Sequence, residues 1–101
     1  MNVREPAAGG LAESLAGHDR GRLYLIVGVA GGRVLLADGA SHKAEAPKKK
    51  NVRHLRLLPL FYSEIAERVG QGKDENSNIR AVLQRAADEK QRRENSCPKT
   101  M

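Results

Sequence analysis

The sequence predicts a mainly β fold, a small closed barrel over residues 11–62, with a helical appendage of one short and one longer helix over residues 63–94. Three observations lead there. Two aliphatic runs, Leu23 to Val29 and Arg33 to Ala37, are joined by Gly31-Gly32 and read as a β-hairpin. Turn residues recur at short intervals around this pair, at Gly17–Gly21, Asp38-Gly39 and Pro47, the spacing of short strands in a small barrel. Beyond Tyr62 the period becomes helical, with Ile79, Val82, Leu83 and Ala86 at i, i+3, i+4 and i+7.

Taken in order, Met1 to Gly10, with Pro6 and Gly9-Gly10, reads as a flexible arm. Leu11 to Ala16 is a short first strand. The loop Gly17-His18-Asp19-Arg20-Gly21 then reverses the chain. Gly21 suits a backbone position with φ > 0, and Asp19 suits a side chain that accepts local backbone N–H groups. Leu23, Leu25, Ile26, Val27 and Val29 are too densely apolar for a helix stripe, so they form a buried strand.

After Asp38-Gly39 a fourth strand is expected over Ser41–Ala46, ended by Pro47, with Lys48–Lys50 in a loop. Val52, Leu55, Leu57 and Leu58 form the closing strand, and Pro59 breaks the pattern. Leu60-Phe61-Tyr62 packs back onto the barrel. Ser63 is positioned to cap a helix over Glu64–Val69, ended by Gly70 or Gly72. The longer helix starts near Asn76 or Ser77 and carries a Glu89–Arg93 pair. Its apolar stripe docks near Phe61 or on a partner protein. Residues 95–101 form a disordered tail.

Composition narrows the function. A mean hydropathy of −0.56 and no long apolar run point away from a membrane. The single cysteine, Cys97, permits no intramolecular disulfide, and a cytoplasmic protein without a secretory signal is expected. The segment Val27–Gly32 does not have dinucleotide-loop spacing and no Walker A sequence is present. His18, His42, His54 and Cys97 lack metal-ligand spacing. No enzyme, metal, cofactor or small-molecule substrate is expected.

The charge is more informative. Ten of the eighteen basic residues and five of the twelve acidic ones precede Ser63, a net of +5 against +1 for the remainder. The excess gathers at Lys43, Lys48, Lys49, Lys50, Arg53 and Arg56, the footprint of a polyanion binder.

Gly17, Asp19, Arg20 and Gly21, followed by Leu23, Leu25 and Val27, resemble the KOW motif of ribosomal and transcription-elongation proteins. The similarity continues through Leu36-Ala37-Asp38-Gly39 and Pro47–Leu55. Gly10 to Leu58 thus resembles the small bacterial KOW-domain RNA-binding proteins, related to the large-subunit ribosomal families fourteen-e, six-e and twenty-seven-e. The resemblance implies an SH3-like barrel and a role in translation, with ribosomal RNA, or another structured RNA, and the ribosome as partners. Gly17, Asp19 and Gly21 would shape the loop. Arg20 and Arg22, with the six basic residues above, would meet RNA phosphates. Only Tyr24, Phe61 and Tyr62 are aromatic, too few for a stacking platform, so phosphate and shape recognition of folded RNA is expected. The alternative is a protein-interaction adaptor.

Overall fold

The computed structural model describes residues 5–96, and the side chains of residues 5–92. Five strands, β1 (Gly10–Ser14), β2 (Leu23–Ala30), β3 (Arg33–Ala37), β4 (Lys48–Asn51) and β5 (Leu55–Phe61), are followed by helices α1 (Ser63–Gly70) and α2 (Asn76–Ser96). They form one antiparallel sheet in the order β4-β3-β2-β1-β5. A single 3₁₀ turn, Val52–His54, connects the two outermost strands, β4 and β5.

Strand alternation sends neighbouring residues to opposite faces. On one face Leu11, Leu25 and Ala37 pack with Ala44 and with Ile65, Ile79, Leu83 and Ala86 of the two helices. On the other, Ala12, Tyr24, Ile26, Val34, Leu36 and Leu55 form a second cluster, joined by Val52 of the 3₁₀ turn and by Leu57 but by no residue of α1 or α2. β1 lies between β2 and β5, and all five of its residues are buried. Its residue types give a weak strand signal. The register Leu11↔Leu25, Ala12↔Tyr24 and Leu11↔Leu58 places it nonetheless, because tertiary pairing outweighs local propensity. The β2–β3 hairpin turns at Gly31-Gly32, between the paired Ala30 and Arg33.

Several elements differ from the sequence reading. Ser41–Ala46 is not a strand. Asp38 Oδ1 accepts the N–H groups of Ala40 and His42 at 2.9 and 2.8 Å, and Asn76 Oδ1 accepts that of Ala44 at 2.9 Å. Side chains thus satisfy backbone donors that a strand would otherwise pair. Lys48–Lys50, expected as a loop, lies in β4, where Leu36, Leu35 and Val34 of β3 pair with it. Lysines are common on such edges because they discourage further pairing.

Val52–His54 is a 3₁₀ turn rather than strand, and Asn51 Oδ1 caps it by accepting the Arg53 N–H at 2.9 Å. Pro59 lies within β5, beside a register shift opposite Gly10 and Leu11. A strand that pairs on one side only can absorb a missing N–H there.

Ser63 begins α1 but does not cap it through its side chain. The Asn76 amide is likewise drawn away from capping α2, toward Ala44 and Glu45, while Asp74 Oδ1 accepts the Asn76 N–H at 3.1 Å. The apolar stripe of α2 packs within the chain against Leu11, Leu25 and Ala37. It docks beside Leu60 and Tyr62, the chain neighbours of Phe61, while the Phe61 side chain itself is 60% exposed. α2 continues to Ser96. Met1–Arg4 of the expected arm, Cys97–Met101 of the expected tail, and the Arg93 side chain of the expected Glu89–Arg93 pair lie outside the described residues. The rest of the arm is tied down, since Gly9 donates to the Ile26 carbonyl and accepts the Tyr62 N–H, both at 2.7 Å.

Candidate nucleic-acid interface

The loop between β1 and β2 is closed by backbone hydrogen bonds. Ser14 donates to the Arg22 carbonyl at 2.9 Å, and Gly21 donates to the Ser14 carbonyl at 2.8 Å. Gly21 has φ = +90°, the left-handed region that glycine occupies without strain, as its place in the loop predicts.

Asp19 does something other than the local turn-fixing expected of it. Its carboxylate is buried and collects four side-chain donors. Ser14 Oγ and Lys50 Nζ donate to Oδ1 at 2.9 and 3.0 Å, and Tyr24 Oη and Lys48 Nζ donate to Oδ2 at 2.9 and 2.7 Å. Burial alone would raise its pKa. Hydrogen bonds from Lys48, Lys50, Ser14 and Tyr24 outweigh that and hold it far below the usual carboxylate range. Burial, followed by the bond to Asp19, pushes the Tyr24 phenol up to about 12. Lys48 Nζ also lies 5.9 Å from the Tyr24 ring centroid, within cation–π range.

This arrangement divides the lysine triplet. Because it is a strand, Lys48 and Lys50 turn together toward Asp19, and Lys49 points out of the opposite face. Arg33 lies two residues from Leu35, the pairing partner of Lys49, and so shares that outer face. A continuous ridge over Lys48–Arg56 is therefore not what forms. Arg56 also turns to an acid, donating to Glu13 Oε1 at 3.0 Å, while Lys90 of α2 donates to Glu13 Oε2 at 2.9 Å. Burial would raise the Glu13 carboxyl, but the bonds from Lys90 and Arg56 pull it below its usual value.

Of the other residues singled out in the sequence, Arg22 makes one long contact, 3.7 Å to Asp38, and stays largely exposed. Arg20, Lys43, Lys49 and Arg53 are exposed and none of them forms a salt bridge among the described residues, although, after the bonds from Asn76, the Lys43 charge helps to lower the Asp74 carboxyl. The cations thus divide into two of β4 held inward at Asp19 and several exposed ones free to meet an anion.

The sequence reading missed Arg80, Gln84, Lys90 and Gln91 of α2, which face the loop across a cleft with Arg22. Positions 80, 84, 87 and 91 form a stripe beside the apolar one, a signal that periodicity could have raised. Among the described residues no group of three His, Cys, Asp or Glu side chains could hold a metal ion, and no helix is long and apolar enough to cross a membrane. Comparison with models of known protein families finds no match, and neither does comparison with curated proteins.

Proposed function

We propose that this chain is a non-catalytic, cytoplasmic RNA-binding protein of the translation apparatus, built on an SH3-like barrel of the KOW type. The β4–3₁₀–β5 connection and a second core cluster drawn from four strands with no helix over it support a sheet that curls on itself. They agree with the loop resemblance carried by Gly17, Asp19, Arg20 and Gly21. The observation that carries the RNA reading is the set of exposed cations Arg20, Lys49 and Arg53, without a salt bridge among the described residues, on a chain of net charge +6. Such groups release counterions from a phosphate backbone on binding. Ribosomal RNA is the favoured partner.

The test is a salt titration of binding to a structured RNA for the wild-type protein and for Arg20→Ala/Lys49→Ala/Arg53→Ala. Loss of three phosphate contacts should lower the slope of log K against log salt by roughly 2–3 units. An unchanged slope removes these residues from the interface.

The adaptor reading has one observation in its favour. Phe61, 60% exposed, borders an apolar recess of about 340 Å³ lined in part by Pro6, Leu57 and Pro59. On that reading Phe61→Ala abolishes binding to a protein partner and leaves RNA affinity unchanged.

A further inference from the structure

An open cleft of about 570 Å³ runs between the end of the β1–β2 loop and α2. Its cations come from two distant parts of the chain, Arg22 from the loop and Arg80 and Lys90 from the helix, and Asp38 is the acid among its lining residues. Gln91 adds an amide on the helix side, as does Gln84, whose Nε2 commits one bond to Asp88 at 3.0 Å, over an apolar floor that includes Leu23 and Leu83.

The cations keep donors to spare. The Arg22 side chain is 60% exposed and meets Asp38 only at 3.7 Å. Arg80 donates Nη1 to the Gly39 carbonyl and Nη2 to Ser77 Oγ, which leaves others of its five N–H groups unused. Lys90 commits one bond to Glu13 and has three protons. Ten residues of helix separate Arg80 from Lys90, about 15 Å along the axis, the reach of several phosphates of one strand.

We infer that this cleft is a second binding site for a phosphodiester backbone, so that α2 belongs to the RNA-binding surface and does not merely buttress the sheet. The inference rests on the RNA reading above and extends it to residues outside the loop resemblance. A polyanion fits the cleft better than a metal would, because its one lining acid, Asp38, already faces Arg22 and takes two backbone N–H groups. Protein partners favour aromatic anchors, and the cleft has none among its lining residues.

The test adds negative charge to the cleft without cutting an ion pair. Gln84 and Gln91 are exposed; Gln84→Glu/Gln91→Glu gives up the 3.0 Å bond from Gln84 to Asp88 and sets two carboxylates one turn apart, a small cost on an exposed helix face that a thermal melt checks. Arg85→Gln/Arg92→Gln is the control, with the same change in net charge at exposed positions outside the cleft lining. Binding of a labelled mixed-sequence RNA hairpin, and of the same hairpin as DNA, is titrated against salt for the three proteins. The cleft variant should bind RNA about tenfold more weakly, with a slope lower by about 1–2 units, and the control should stay within about twofold of wild type. Equal losses in both variants, or none in either, overturn the cleft while leaving the RNA reading in place. Tighter binding of the DNA form reassigns the backbone to DNA. If the wild-type protein binds neither hairpin, the RNA reading fails and the cleft falls with it.

Discussion

Lys50 Nζ lies 3.0 Å from Asp19 Oδ1, a contact that bridges 31 positions of sequence and ties β4 to the loop between β1 and β2. The same ammonium donates to the Ala16 carbonyl at 3.1 Å. Lys48 completes the clamp from the same strand face, so a lysine triplet that looks like a binding ridge is partly a structural device.

Asp19→Ala should therefore destabilise the fold. It leaves Ser14, Tyr24, Lys48 and Lys50 without their common acceptor. Removing one member of a buried pair costs about 3–5 kcal/mol, and the partial exposure of Lys48 lowers the expectation to about 2–3 kcal/mol. Denaturant unfolding measures it, and a midpoint equal to wild type would contradict the clamp.

The same carboxylate sets a pH dependence. Its folded pKa is depressed, so the unfolded chain binds the proton more tightly. The stabilisation is complete well above the ordinary aspartate value of about 3.9 and is lost as pH falls below it. Glu13, lowered in the same sense, adds to the loss. Melting temperatures between about pH 2 and pH 6 should fall less steeply for Asp19→Asn than for wild type.

Single lysine variants should separate the two roles. Lys49→Ala should leave stability unchanged and reduce the RNA salt slope by roughly 0.7–0.9 units. Lys48→Ala and Lys50→Ala should each lower stability by about 1–2 kcal/mol through a lost charged hydrogen bond. Identical melts for all three would mean that Asp19 does not depend on them.

Two glycines are expected to respond differently to a side chain. At Gly21 a Cβ would have nothing within 4 Å, so Gly21→Val should cost only backbone strain, about 1–3 kcal/mol. Gly39 has φ = +78°, and a Cβ there would collide with the Asn76 carbonyl and with Arg80. Gly39→Ala should cost more than Gly21→Ala and speed amide exchange in the first turns of α2.

Ile79, fully buried between α2 and the sheet, should cost about 2–5 kcal/mol when replaced by alanine. Ending the chain after Tyr62 should uncover Leu11, Leu25 and Ala37 and lower the melting temperature of what remains. An unchanged melt would show that the sheet does not need its helices.

The β2–β3 hairpin, the positive φ at Gly21 and the apolar stripe of α2 could be read directly from residues 16–38 and 79–86. Each depends on neighbours in the chain, through side-chain periodicity and turn chemistry. The strand β4 and the irregular Ser41–Ala46 segment could not be read this way. A triple lysine becomes a strand because β3 offers a ladder, and Ala44 leaves one because Asn76, 32 residues on, accepts its N–H.

The candidate site divides the same way. Sequence alone determined that the chain is basic and that its excess charge precedes Ser63, since charge is a property of composition. Tertiary structure decided which cations are available. Asp19 and Glu13 are buried and each takes two cationic side chains as partners, Lys48 and Lys50 held inward at Asp19, Arg56 and Lys90 reaching Glu13 from more exposed positions, because a buried carboxylate must be compensated. It also brought Arg80 and Lys90 opposite Arg22, a proximity that follows from docking α2 on β2 and has no signature in linear order.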